Sequence, residues 1–108
     1  MAALWQVRKD PEAVEPLSID WTDWLDQPDG TTTIASQNWY AFVEDADGNR
    51  TTTTDITFSS QSINAGSTAT SVRVSGGEAG SNYWVTNRVT AANGTITERS
   101  IRLVCADY

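Results

Sequence analysis

An all-β sandwich is the fold class that this 108-residue sequence predicts, on three observations. Short runs alternate between apolar and polar at the strand period of two, as in Leu17-Ser18-Ile19-Asp20-Trp21 and at Thr70, Val72 and Val74. Turn-forming clusters separate the runs at roughly even spacing, among them Asp26-Gln27-Pro28-Asp29-Gly30, Asp45-Ala46-Asp47-Gly48-Asn49 and Asn93-Gly94. No segment carries a convincing helical period. Together these predict about seven short strands in an immunoglobulin-like antiparallel β-sandwich with an extended N-terminal arm.

The closing hairpin is the clearest element. A glycine-rich turn, Gly76-Gly77-Glu78-Ala79-Gly80, leads to Tyr83, after which Tyr83, Val85 and Val89 fall on one face and Trp84, Thr86 and Arg88 on the other. Asn87 stands on the core phase and breaks the alternation. Asn93-Gly94 supplies the tight turn, because both central residues of such a turn take positive φ. Tyr83 reads equally as a plain core aromatic and as a corner tyrosine whose hydroxyl bonds to nearby backbone.

Residues 1–15 read as the arm and 16–108 as the sandwich domain. Asp10-Pro11 favours extended or turning chain over helix. Leu4, Trp5 and Val7 give the arm something to bury, which is expected to lie along a neighbouring subunit with Trp5 as the anchor, adding an edge strand by main-chain hydrogen bonds. Leu17 to Trp21 is a half-buried strand, and Thr22 to Leu25 one turn of helix capped by Asp20 or Thr22. Asp26 to Gly30 is a loop. Thr31 to Ser36 and Trp39 to Val43 read as separate strands, and Thr51 to Phe58 as another, its threonines suited to a strand edge. Ser59 to Ser67 reads as a polar loop, before a strand at Thr70 to Val74 that faces the final hairpin.

Composition narrows the function. Seven basic residues against fourteen acidic give a net charge of −7, which opposes phosphate binding, so nucleic acid is not an expected partner. No apolar stretch is long enough for a secretory signal or a membrane span, so the chain is expected to be made in the cytoplasm and to have no membrane partner. Cys105, the single cysteine, sits in the last apolar run and reads as a buried, inert thiol. Histidine is absent, which removes Ser-His-Asp and Cys-His chemistry and every histidine-based metal site. The glycine-rich turn lies between two strands, whereas a phosphate cradle opens a helix.

Two further patterns are weighed and set aside. Asp20, Asp23, Asp26 and Asp29 beside Trp21 and Trp24 suggest a glycosidase pair on a sugar platform, but carboxylates beside a turn are far commoner than a catalytic pair. Asp45 to Arg50 resembles the start of a calcium loop, then fails where glycine is needed and Arg50 stands, and where glutamate is needed and Ile56 stands. A β-turn explains the same residues. No catalytic, cofactor or metal residue is expected.

The five tryptophans carry the lead. Trp21 and Trp39 are in phase with apolar neighbours and read as core, while Trp24 covers one end of the sandwich. Trp84 points away from the core beside Arg88, the composition of an interface centre; the alternative is a ring covered by its own domain, and the same two readings apply to Trp5. The candidate partner-contact residues are Leu4, Trp5, Val7, Trp24, Trp84 and Arg88.

Lys9-Asp10-Pro11-Glu12-Ala13-Val14, Ile19-Asp20-Trp21-Thr22-Asp23-Trp24-Leu25, Ile34-Ala35-Ser36, Ser75 to Gly80 and Tyr83 to Thr90 together resemble a family of small proteins of tailed bacteriophages, the phage fibre-tail adaptor family, over residues 9 to 104. The resemblance implies an immunoglobulin-like structural virion protein, present in several copies, that links tail fibres to the tail or the head-tail connector by protein-protein contacts. Its implied partners are tail fibre, tail tube, connector or portal-adaptor subunits, and it implies no catalysis. Two alternatives are a capsid decoration or head-connector protein on the same fold and, from another class, a carbohydrate-binding module stacking sugars on Trp21, Trp24 and Trp84. The chain departs from the family pattern in the aromatic run Trp39-Tyr40-Ala41-Phe42 and in Trp84, where a smaller polar residue is common.

Overall fold

A computed structural model describes residues 3–106, with side chains described from residue 6 to residue 106. The elements run β1 (Ala3–Lys9), β2 (Glu15–Asp20), α1 (Thr22–Leu25), β3 (Asp26–Gln27), β4 (Gly30–Thr31), β5 (Ile34–Glu44), β6 (Arg50–Thr52), β7 (Ile56–Ile63), β8 (Ala69–Gly76), β9 (Asn82–Ala91) and β10 (Ile96–Cys105). One sheet has the order β1-β10-β9-β5-β6, a second β2-β8-β7, and β3 and β4 form a small separate ribbon. The two larger sheets enclose one apolar core, to which Leu17, Ile19, Val72 and Val74 contribute from one side and Trp39, Val85, Ile101 and Leu103 from the other. This all-β, sandwich-like arrangement agrees with the predicted fold class and is consistent with an immunoglobulin-like sandwich. Every pairing is antiparallel except that of β1 with β10, which is parallel.

Several boundaries differ from the sequence reading. The two strands expected at Thr31 to Ser36 and Trp39 to Val43 are one, β5, because a register shift between Ile34 and Ser36 absorbs the change of phase and Gln37 is held by side-chain bonds rather than by a turn. The strand expected from Thr51 to Phe58 is two: β6 belongs to the first sheet and β7 to the second, and the chain crosses between them at Thr53 to Asp55, where the Thr53 hydroxyl accepts the Asp55 amide at 3.1 Å. The polar loop expected from Ser59 is strand as far as Ile63, interrupted only by a bulge at which Ser60 takes φ 53°. The loop at Asp26 to Gly30 contributes residues to the β3–β4 ribbon.

The arm holds β1, and β1 pairs with β10 of its own chain rather than presenting both edges to a neighbour. Its last residue explains the attachment. Lys9 is fully buried, and its ammonium donates to the Gly76 carbonyl at 2.7 Å and the Asp10 carbonyl at 2.9 Å. A buried charge of this kind is tolerable only when hydrogen-bonded, so Lys9 ties the end of β1 to the glycine-rich turn.

That turn demands glycine at two places. A side chain on Gly76 (φ 88°) would run into the Asp55 carbonyl, and one on Gly77 (φ 96°) would meet the Cys105 sulfur at 2.7 Å. Tyr83 fulfils both of its readings: its ring is buried, and its hydroxyl accepts the Glu78 amide and donates to the Asp55 carboxylate, each at 2.9 Å. Burial pushes its phenol pKa up.

Asn87, the exception in the alternation of β9, sits at the centre of the sandwich. It is fully buried; its carbonyl accepts the Thr70 hydroxyl at 2.6 Å and Trp21 Nε1 at 3.2 Å, and its amide donates to the Asn38 carbonyl at 3.2 Å. Thr70 lies in the second sheet and Asn87 in the first, so this buried polar cluster pins the sheets together.

Candidate protein-interaction face

Outward side chains of the five-stranded sheet line up in rows, because cross-strand partners share a face. One row runs Gln6, Arg102, Trp84, Phe42, Thr52 across all five strands, and the next carries Ser100, Thr86 and Tyr40. Beyond it lie Glu98, Arg88 and Asn38. Three aromatic rings, Tyr40, Phe42 and Trp84, therefore occupy adjoining positions on an outer surface, and Tyr40 is 42% exposed.

Charged groups fix the Trp84 ring in place. The Arg50 guanidinium stacks 3.6 Å from the centre of the Trp84 ring, while Trp84 Nε1 donates to Glu44 Oε1 at 3.2 Å. Arg102 holds the other oxygen of Glu44 at 3.1 Å and reaches Gln6 Oε1 at 3.1 Å. The Trp84 hydrogen bond, seconded by Arg102, holds the Glu44 carboxyl below its usual pKa. A concavity of about 210 Å³ opens between Tyr40, Phe42, Arg50, Thr86, Glu98 and Ser100. Arg8, Arg50, Arg88 and Arg102 face outward on this sheet against Glu44 and Glu98, which makes it a basic face on a chain of net charge −7.

This arrangement suits association with another protein. Aromatic and arginine side chains are the residues enriched at interface centres, and here Trp84, Arg50 and Arg102 are ordered in advance through one another and Glu44. Among the described residues no group of three or more acidic or cysteine side chains is placed to hold a metal ion.

The expected contact residues are distributed unevenly. Trp84 and Arg88 lie on this face, Trp84 half-buried under Arg50 and Arg88 exposed. Val7 points inward and packs against the core, and Trp24 also packs there, its ring edge-on to Trp21 at 5.9 Å. The side chains of Leu4 and Trp5 lie outside the described residues. Sequence reasoning missed Tyr40, Phe42, Arg50 and Arg102. A signal for the first two existed: Trp39 to Val43 is apolar on both phases, so one phase faces the core and the other leaves aromatics outside.

The motif around Trp21 serves the fold. Trp21 is wholly buried, with the Arg99 guanidinium 4.5 Å above its ring; Arg99 in turn donates to both carboxylate oxygens of Asp23, at 3.0 and 2.9 Å, and to the Asp20 carbonyl at 3.1 Å. Hydrogen bonding to Arg99 lowers the Asp23 pKa, and the Thr22 hydroxyl and amide lower that of Asp20. Asp20 does not cap α1; its carboxylate accepts from Thr22 at 2.6 and 3.0 Å, and the capping position belongs to Trp21 without a side-chain bond. The Asp45 carboxylate closes its turn by accepting the amides of Asp47 and Asn49 at 3.0 and 2.8 Å. Cys105 is buried, and burial raises its thiol pKa, so little reactive thiolate forms near neutrality.

No curated protein matches the chain. Residues 9–104, from the buried Lys9 through the Trp21 motif and the glycine-rich turn into the last residues of β10, match the family described as podophage GP4 fiber-tail adaptor protein gp77, and the chain belongs to that family.

Proposed function

We propose that the protein is a structural component of a phage tail that joins fibres to the tail or its connector, using the outer face of the five-stranded sheet as a docking surface. Membership of the fibre-tail adaptor family supports the virion role. The single observation that carries the choice of surface is the convergence of Tyr40, Phe42 and Trp84 on adjoining rows. Of the positions at which the chain departs from the family pattern it resembles, Tyr40, Phe42 and Trp84 lie on this face, while Trp39 and Ala41 face the core.

The partner surface that fits is acidic, with room for aromatic contacts, since the basic face on an otherwise acidic chain orients approach by its field. Several copies around a tail bind together by avidity, so no single contact needs to be tight. The role requires no catalysis. Trp21 offers no ring face to a sugar, being buried beneath Arg99, which removes one of the three platforms that a carbohydrate-binding module would use.

Charge reversal at Arg50 combined with Phe42→Ser tests the reading. The variant is expected to fold, by thermal melt, and to be missing from purified tails in a complementation assay. Normal incorporation into tails would reject the assigned face, and recovery on tail-less capsids would reject the tail role in favour of decoration.

A further inference from the structure

A second surface lies between the sheets. On the side where β5 and β6 face β7, a groove of about 580 Å³ runs along Trp39, Ala41, Ile56 and Phe58, with Tyr40, Phe42, Thr52 to Thr54, Thr57 and Gln61 at its rim. Trp39 and Phe58 meet at its floor with ring centres 6.1 Å apart. Nearby the Gln37 side chain bridges β5 to β7 by donating to the Ser62 carbonyl at 2.9 Å, and the chain crosses between the sheets at Thr53 to Asp55.

The wall of this groove is an open strand edge. β5 pairs with β9 from Ile34 to Val43, yet on its other side β6 covers only Phe42, Val43 and Glu44. The Ala41 carbonyl points to that side, where it accepts the Thr53 amide at 3.4 Å. By the two-residue alternation of an antiparallel strand, the peptide groups of Trp39 and Gln37 point the same way, and among the described residues no strand pairs with them there. β7 is likewise an edge strand, with β8 on one side only.

We infer that this groove receives an extended, uncharged segment of a partner protein, which pairs with β5 along Gln37 to Tyr40 and places small apolar or β-branched side chains against Trp39, Ala41 and Phe58. An apolar floor alone would accept many ligands. A row of main-chain donors and acceptors beside it selects a peptide in strand conformation, because only such a chain satisfies them in register. Charge selects further: none of the lining residues carries one, on a chain of net charge −7, so a charged side chain entering the groove would lose its hydration without gaining a counter-ion. Tyr40 and Phe42 of the aromatic outer face reach the rim of this groove, but its floor and its open strand edge are formed by other groups, and the inference stands without the docking role proposed for that face.

The test uses the full chain and a blocked heptapeptide of alternating threonine and valine, followed by amide chemical shifts. Shifts confined to residues 37–41 and 56–61, with slowed hydrogen exchange at the Trp39 amide, are expected. The same peptide N-methylated at alternate backbone nitrogens is expected to bind about tenfold more weakly or worse, since it keeps the side chains and loses the donors. A lysine-substituted peptide is expected to lose binding as well. Thr57→Asp, at an exposed rim position, is expected to weaken binding while leaving the melting temperature unchanged. No shift at millimolar peptide, equal affinity for the N-methylated peptide, or groove shifts that track protein concentration through self-association would each overturn the inference.

Discussion

Strand β9 carries two exceptions to the usual pattern, one on each face, and they do opposite things. Inward, where an apolar side chain is expected, stands Asn87; outward, where a polar one is expected, stands Trp84. Asn87 is completely buried, and its carbonyl and amide bond to both sheets. Trp84 is held by Arg50 and Glu44, which leave it half-exposed. The inward exception costs desolvation and gives registration: only one relative placement of the sheets satisfies Asn87, Thr70 and Trp21 together. The outward one leaves an aromatic ring in water and gains the free protein little, which is the economy of a residue whose main contact comes from outside.

Removing the inward exception has the largest expected effect. Asn87→Ala takes from the buried Thr70 hydroxyl its 2.6 Å acceptor, leaves Trp21 Nε1 with Thr70 alone and opens a small cavity, for a loss of about 2–4 kcal/mol. Urea unfolding measures it directly, and a fall in melting temperature of roughly 10–25 °C accompanies it. Asn87→Asp sharpens the point, because it keeps the volume but buries a charge that cannot donate to Asn38; it is expected to be no better than alanine. If either variant were as stable as the natural chain, the pin would not be what aligns the sheets.

Tyr83→Phe comes next. It keeps the buried ring and removes only the hydroxyl that joins the Glu78 amide to the Asp55 carboxylate, which is expected to cost about 1–2 kcal/mol by urea unfolding. Its Glu78 and Gly80 amides should also exchange faster with solvent, since the glycine-rich turn loses its link to the crossing at Thr53 to Asp55.

How much of this was legible in the sequence follows range. Features set by neighbours in the chain could be read: the alternation of Leu17 and Ile19, the single turn at Thr22 to Leu25, the glycine turn, and the inward phase of Tyr83, Val85 and Val89. Features set by distant partners could not. Asn87 looked like an imperfection because Thr70 is 17 residues away and Trp21 is 66, so nothing near it announced a role. The place of β1 beside β10 was hidden for the same reason, and with it the burial of Lys9 beside Gly76, 67 residues on. On the outer face Trp84 and Arg88 were found by phase, whereas Arg50 and Arg102 reach it through pairings that only the topology reveals. The boundary of β5 was misplaced because Gln37 and Asn38 interrupt the apolar run, yet the strand continues through them, with the Gln37 side chain bonded to the Ser62 carbonyl of β7 and the Asn38 carbonyl to the Asn87 amide of β9.

Trp84→Ala is expected to be mild where Asn87→Ala is severe. The ring contributes the stack with Arg50 and one hydrogen bond to Glu44, both in contact with water, so a loss of about 1 kcal/mol is expected in urea unfolding. Losing several times that would mean that the ring is structural rather than held for a partner.

The smallest effect concerns Asp23, and it is separable by pH. Arg99 lowers the Asp23 pKa in the folded chain below the ordinary value of 3.8, so the ion pair adds stability that is present in full above that value and is lost as the pH falls through the folded pKa. Asp23 is largely exposed, its side chain being 73% accessible, and the contribution is expected to be only a few tenths of a kcal/mol. Asp23→Asn should therefore melt slightly below the natural chain at pH 7, and the gap should close below about pH 4 and shrink in high salt. A gap that persisted at low pH would show that Asp23 acts by shape, through the way Arg99 is seated over Trp21, and that the ring owes its covering to packing rather than to charge.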